Sequence, residues 1–120
     1  MSEPMSEPMS EPRTGLSTHV LDTTRGIPAA GVAVTLRGPG GVTVETTTNV
    51  EGRTDAPLVD ALVDGTYELT FDVGRYFADS GGEPPYLDLI PVRVNLTAAM
   101  DHVHVALLVT PWSYTTYRGS

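Results

Sequence analysis

From Leu16 onward apolar and polar residues alternate with a period of two, and the apolar members are mainly valine, leucine and isoleucine. That is the pattern of strands with one face on a core. It predicts strands at about Leu16–Asp22, Val32–Arg37, Val42–Thr48, Thr66–Asp72, Leu89–Leu96, His102–Val109 and Ser113–Arg118, with a short one near Leu58. Seven or eight short strands with Gly, Pro and Asp between them imply an all-β sandwich of two sheets. Arg25-Gly26-Ile27-Pro28, Gly38-Pro39-Gly40-Gly41 and Asp64-Gly65 supply turn geometry, and Pro111 cannot donate to a central ladder. One short helix is predicted over Gly74–Asp79, where an aromatic pair runs into Gly81-Gly82 as a stop.

The opening residues break this pattern. Met-Ser-Glu-Pro occurs at 1–4, 5–8 and 9–12. Proline at every fourth position excludes a regular helix, and methionine alone offers too little apolar surface to offset ordering entropy. Residues 1–13 are therefore expected to be a disordered tail and 14–120 a single domain. Neither end displays a signal-peptide core or a peroxisomal address, so the expected compartment is the cytoplasm.

Two strands carry the candidate chemistry. In His102–Val109, alternation puts Val103, Val105, Leu107 and Val109 on one face and His102, His104, Ala106 and Leu108 on the other. The first face suits a core. The second is too polar for a core and too apolar for open water, which a subunit interface would resolve. On Leu16–Asp22, His19 shares a face with Ser17 and Leu21, and the two histidine faces are expected to line one cavity. Histidine titrates near neutral pH, so placing all three histidines of the chain on two strand faces fits an acid/base site. The same His-x-His spacing could hold zinc with an open water position. Arg53 leaves a turn in which Asn49 and Gly52 tolerate positive φ, and Tyr117, Arg118 and Ser120 crowd the closing strand.

Composition narrows the choice of chemistry. The chain has no cysteine, and all seven basic residues are arginine, which excludes thiolate nucleophiles, sulfur-ligated metals and Schiff-base lysines. A net charge of −8 argues against nucleic-acid and anionic-membrane partners, and no stretch approaches the ~18 apolar residues of a membrane span. A local arginine and histidine pocket can still attract a small anion.

Leu16-Ser17-Thr18-His19-Val20-Leu21-Asp22, Gly52-Arg53-Thr54, Gly65-Thr66-Tyr67-Glu68-Leu69, the His-x-His strand and the closing Tyr117-Arg118-Gly119-Ser120 resemble the 5-hydroxyisourate hydrolases, the transthyretin-related enzymes of urate breakdown. The terminal tetrapeptide is the mark that separates these hydrolases from the hormone carriers of the same fold. The resemblance implies a transthyretin-like sandwich with Greek-key wiring. It also implies a homotetramer built as a dimer of dimers, with sites in the channel between dimers and no metal or cofactor. It makes His19, Arg53, His104 and Ser120 catalytic, and His19, Arg53 and Tyr117 substrate-binding. His102, Arg118 and Gly119 are left in support, Arg118 through an ion pair at the strand end. The expected reaction is opening of 5-hydroxyisourate at a ring amide by general-base catalysis. A small-ligand carrier without chemistry is the runner-up, and a zinc hydrolase the third reading. Val103 and Ala106 stand where the family commonly has tyrosine and proline, and Pro84–Pro91 is looser than the family's aromatic-proline run.

Overall fold

The computed structural model describes residues 14–81 and 84–119; the expected tail, Gly82, Glu83 and Ser120 lie outside the described residues. Among the described residues there are eight strands: β1 (Gly15–Asp22), β2 (Ile27–Pro28), β3 (Ala33–Arg37), β4 (Thr43–Thr47), β5 (Gly65–Asp72), β6 (Leu89–Leu96), β7 (His102–Val109) and β8 (Tyr114–Gly119). They form two four-stranded sheets, ordered β2-β1-β7-β8 and β4-β3-β5-β6. The chain crosses between sheets after β2 and again after β6, so β1 and β7 meet as parallel neighbours along their whole length, from Gly15↔His102 to Asp22↔Val109. That one pairing brings the two histidine strands together.

The core lies between the sheets. Leu16 and Val20 of β1 and Val103, Val105, Leu107 and Val109 of β7 face Val34 and Leu36 of β3 and Tyr67, Leu69 and Phe71 of β5, all of them buried. Each such aliphatic side chain contributes about 1.5–3 kcal/mol by leaving water. Tyr67 carries its hydroxyl into this core because Val63 satisfies it twice: the Val63 N–H donates to it at 3.0 Å and the Val63 carbonyl accepts from it at 3.1 Å.

An α-helix, α1 (Val73–Asp79), follows β5 directly, with the Asp72 carboxylate accepting from the Arg75 N–H at 3.2 Å as its cap. Phe77 is buried, and the Tyr76 hydroxyl donates to Asp22 Oδ2 at 2.8 Å. Asp22 is fully buried at the end of β1, where its other oxygen accepts from the Thr24 and Arg25 N–H groups. Burial, and then the bond to Asp22, push the Tyr76 phenol up to about 12, so it stays a donor at any physiological pH.

Two local expectations are corrected. Ile27 and Pro28 do not only turn; they pair with Asp22 and Leu21 as a two-residue edge strand, where the missing proline N–H costs no ladder bond. Leu58 belongs to no strand: its N–H bonds the Leu16 carbonyl at 2.8 Å and Val59 forms an isolated bridge with Leu16.

Candidate active site

The outer face of the β2-β1-β7-β8 sheet carries the candidate residues in lateral rows. Paired residues of neighbouring strands, roughly 4.8 Å apart, present their side chains to the same face. One row therefore runs Arg53, His19, Ala106, Tyr117, through the bridge His19↔Arg53 and the pairs His19↔Ala106 and Ala106↔Tyr117. The next runs Ser17, His104, Gly119. His102 lies one step further, opposite Gly15.

Arg53 reaches its row on a turn that the sequence builds locally. The Asn49 side-chain oxygen accepts from the Glu51 and Arg53 N–H groups at 2.9 and 3.2 Å, while the Asn49 N–H donates to the Arg53 carbonyl at 2.7 Å. Gly52, at φ +78°, packs its backbone onto β1, and its carbonyl accepts from the Val20 N–H at 2.8 Å. A Cβ there would run into the Val20 carbonyl and come within 3.1 Å of the His19 ring.

His104 is buried within the protomer, being 8% exposed, and Ala106 is also buried. Part of the mixed face that called for a subunit interface is thus covered by the chain itself, because β7 is an inner strand with β1 on one side and β8 on the other. The Ser17 hydroxyl stands 2.7 Å from His104 Nδ1 and 3.0 Å from His102 Nε2, bridging the two imidazoles. His19 and His104 are neighbours, with ring centroids 6.3 Å apart at an interplanar angle of 47°. His19 Nε2 is buried without a hydrogen-bond partner among the described residues, a costly state that a bound ligand's polar group would relieve.

Burial, and next the Arg53 guanidinium, hold the His19 imidazole below its ordinary value of 6.5; a backbone hydrogen bond with Glu51 and the Glu51 charge oppose the shift without cancelling it. Neutral His19 is thus the form present near pH 7. Proton NMR titration of its ring should give a midpoint below 6.5, and Arg53→Gln should move that midpoint upward. The unfolded chain binds the proton more readily, so this group's contribution to stability is complete above 6.5 and falls as pH drops through the folded midpoint.

A cleft of about 700 Å³ opens beside the rows, walled by Ser17, His102 and Arg53 together with Glu51, Asp55 and Asp60. This volume falls within the range of small-molecule sites. Tyr117 is half exposed at the far end of its row. Arg118 does not join them: opposite Val105 it occupies the other face of β8 and lines a separate groove with Val92, Val94 and Val103. Gly119 sits against His104, where a Cβ would come within 2.7 Å of ring carbon Cδ2. Gly119→Ala must push the imidazole aside; any reaction that uses this ring should slow about tenfold, short of the ~10²-fold that a 1 Å misplacement costs. Comparing rates with thermal melts separates that effect from unfolding.

Among the described residues, no group of three His, Cys, Asp or Glu side chains is arranged to hold a metal ion. Sequence reasoning assigns Ser17 no role in the site, although alternation places it on the face of His19.

A model of the HIUase/Transthyretin family matches residues 16–119. The chain belongs to this family. It is 52% identical over 114 residues to a 5-hydroxyisourate hydrolase of Deinococcus radiodurans, covering 88% of this chain and 96% of that one. The solved 5-hydroxyisourate hydrolase of Klebsiella pneumoniae superposes with a TM-score of 0.76 at 36% identity, over 88% of this chain and 98% of the other. Sea bream transthyretin, solved with thyroxine, gives the same TM-score of 0.76 at 26% identity, over 87% and 93% of the two chains. Both branches of the family share the sandwich, and the sequence lies nearer to the hydrolases.

Proposed function

We propose that the chain hydrolyses 5-hydroxyisourate, opening its six-membered ring at an amide bond to give a carboxylate and a ureido group. The observation that carries this reading is the convergence of two imidazoles and a guanidinium from three separate stretches of chain, His19, His104 and Arg53, beside a cleft of small-molecule size. Neutral His104, with His19 beside it, takes the proton of a water as it adds to the ring carbonyl. Arg53 offers planar donors to the oxygen that becomes negative, and Tyr117 packs against the ring. To Ser120, which lies outside the described residues, this reading assigns the task of holding a histidine tautomer or the water.

Supporting observations extend to assembly and compartment. Tyr117 and Trp112 are large apolar surfaces left open on the protomer, which suits burial in a homotetramer formed as a dimer of dimers. No helix among the described residues is long and apolar enough to cross a membrane. The lack of cysteine fits the reducing cytoplasm, where we place the enzyme.

The test follows the absorbance of freshly generated 5-hydroxyisourate with and without the protein. Accelerated decay that survives EDTA is expected. Decay at the spontaneous rate would leave a carrier of small ligands in its place, and loss in EDTA with recovery in zinc would make it a metallohydrolase.

A further inference from the structure

Ring opening that yields a carboxylate and a ureido nitrogen releases one proton per turnover, because the acid ionises near pH ~4 and a ureido nitrogen is not basic enough to retain the proton. Of the attacking water's two protons, one ends on the departing ureido nitrogen, which takes it from the hydroxyl of the collapsing tetrahedral adduct, and the other, held by the base, passes on to solvent before the next cycle. His104 is poorly placed to do so directly, being 8% exposed. His102 is half-buried and, with Ser17, lines the open 700 Å³ cleft.

We propose that Ser17 and His102 form the route by which the proton taken up by His104 reaches solvent. The inference rests on the hydrolase reading of this site. The Ser17 oxygen lies 2.7 Å from His104 Nδ1 and 3.0 Å from His102 Nε2, both within hydrogen-bond range. A hydroxyl has one proton, so it donates to one ring and accepts from the other. In the resting state Ser17 accepts from His104 Nδ1–H and donates to His102 Nε2, which leaves the basic lone pair of His104 on Nε2. When His104 takes a proton at Nε2 it becomes imidazolium. The Nδ1–H bond then breaks as a Ser17 O–H bond forms, and the original Ser17 O–H bond breaks as a His102 Nε2–H bond forms. The positive charge moves from the buried ring to the half-buried one, and no heavy atom is displaced. His102 then yields its proton to water in the cleft, where Glu51, Asp55 and Asp60 favour the departing cation and Arg53 opposes it. The proton His102 gives up is the one on Nδ1, so the starting tautomers return when His104 Nε2–H goes to water in the vacated site and His102 Nδ1 regains a proton from water, while His102 Nε2–H passes to Ser17 and the Ser17 O–H to His104 Nδ1.

Ser17 is thus a positioning residue acting through His104, and its location has a simple origin. The parallel register sets Ser17 opposite His104 and Gly15 opposite His102, so the short side chain at 17 falls between two long ones on the same face.

The experiment measures decay of 5-hydroxyisourate with the full chain as wild type, Ser17→Ala, Ser17→Thr and His102→Asn, each at low and high imidazole buffer. Ser17→Ala should lower kcat about 10- to 100-fold, the worth of one hydrogen bond to an ionised group, with KM unchanged. Ser17→Thr, which keeps the hydroxyl, should recover most of it. Added imidazole should raise kcat of Ser17→Ala and of His102→Asn while leaving the wild type unaffected, because an external base replaces the lost acceptor; a purely structural role for Ser17 would not respond to buffer. A Ser17→Ala enzyme with wild-type kcat, or a loss that neither threonine nor imidazole relieves, overturns the route. If Ser17→Ala fails to fold by circular dichroism, His102→Asn decides alone, and a kcat equal to the wild type and independent of buffer overturns it. A wild type that leaves the decay at its spontaneous rate removes the hydrolase reading and the route with it, which distinguishes the two failures.

Discussion

Replacing His104 with asparagine should lower kcat for 5-hydroxyisourate about 10²- to 10⁴-fold, the range a positioned general base contributes. The size of the effect follows from position. His104 lies at the centre of the three-strand row, with Ser17 bonded to one ring nitrogen, Gly119 against the ring edge and the His19 ring centroid 6.3 Å away, so asparagine removes the imidazole from the middle of the site. Asparagine is smaller and still polar, and its amide can keep the bond to Ser17, so the thermal midpoint should move little beside the loss of rate. Following absorbance decay and thermal melts on the same preparations separates the two effects. A His104→Asn enzyme that turns over at the wild-type rate would exclude His104 as the base and leave His19, whose imidazole is neutral near pH 7, as the group to examine.

Much of this arrangement is legible in the chain before any coordinates, and the reason is the regularity of strands. β6 and β7 begin and end where the period of two puts them, since every second residue of Leu89–Leu96 and of His102–Val109 is a branched aliphatic: Ile90, Val92, Val94 and Leu96 in the first, Val103, Val105, Leu107 and Val109 in the second. The same alternation assigns Val103, Val105, Leu107 and Val109 to the core. It cannot say which strands pair. The parallel contact of β1 with β7 joins residues 87 positions apart at Ser17 and His104, and nothing local encodes it. For that reason Ser17 reads as an ordinary strand hydroxyl until its partner is known. Gly119 is similar: glycine in a strand signals close approach of something, but only the β7–β8 register identifies that something as His104. Arg118 shows the converse. Its place in the chain between Tyr117 and Gly119 suggests a supporting group, yet period two turns it to the opposite face. Ile27-Pro28 reads as a turn alone because two residues are too short a run for any periodicity to register.

The second large effect is expected at Arg53. Arg53→Ala should reduce kcat about 10²- to 10³-fold, the cost of removing a donor aimed at a developing oxyanion. The turn itself should survive the change, because it is held by main-chain groups: the Arg53 N–H donates to Asn49 Oδ1, and the Arg53 carbonyl accepts from the Asn49 N–H. Neither bond involves the guanidinium. Arg53→Lys separates two contributions of that group. Burial, the larger cause, lowers the His19 midpoint in every variant; lysine also restores the positive charge that adds to it, so the midpoint should stay near the wild-type value, whereas in the alanine variant it should climb. What lysine does not restore is the planar pair of donors, and kcat should therefore recover only in part. A lysine enzyme as fast as the wild type would mean that Arg53 acts as a point charge on His19 and not as a clamp on the substrate oxygen. An alanine enzyme with unchanged kcat but raised KM would confine it to docking. Rates at saturating substrate, read beside the NMR midpoint of His19 in all three proteins, decide between these roles.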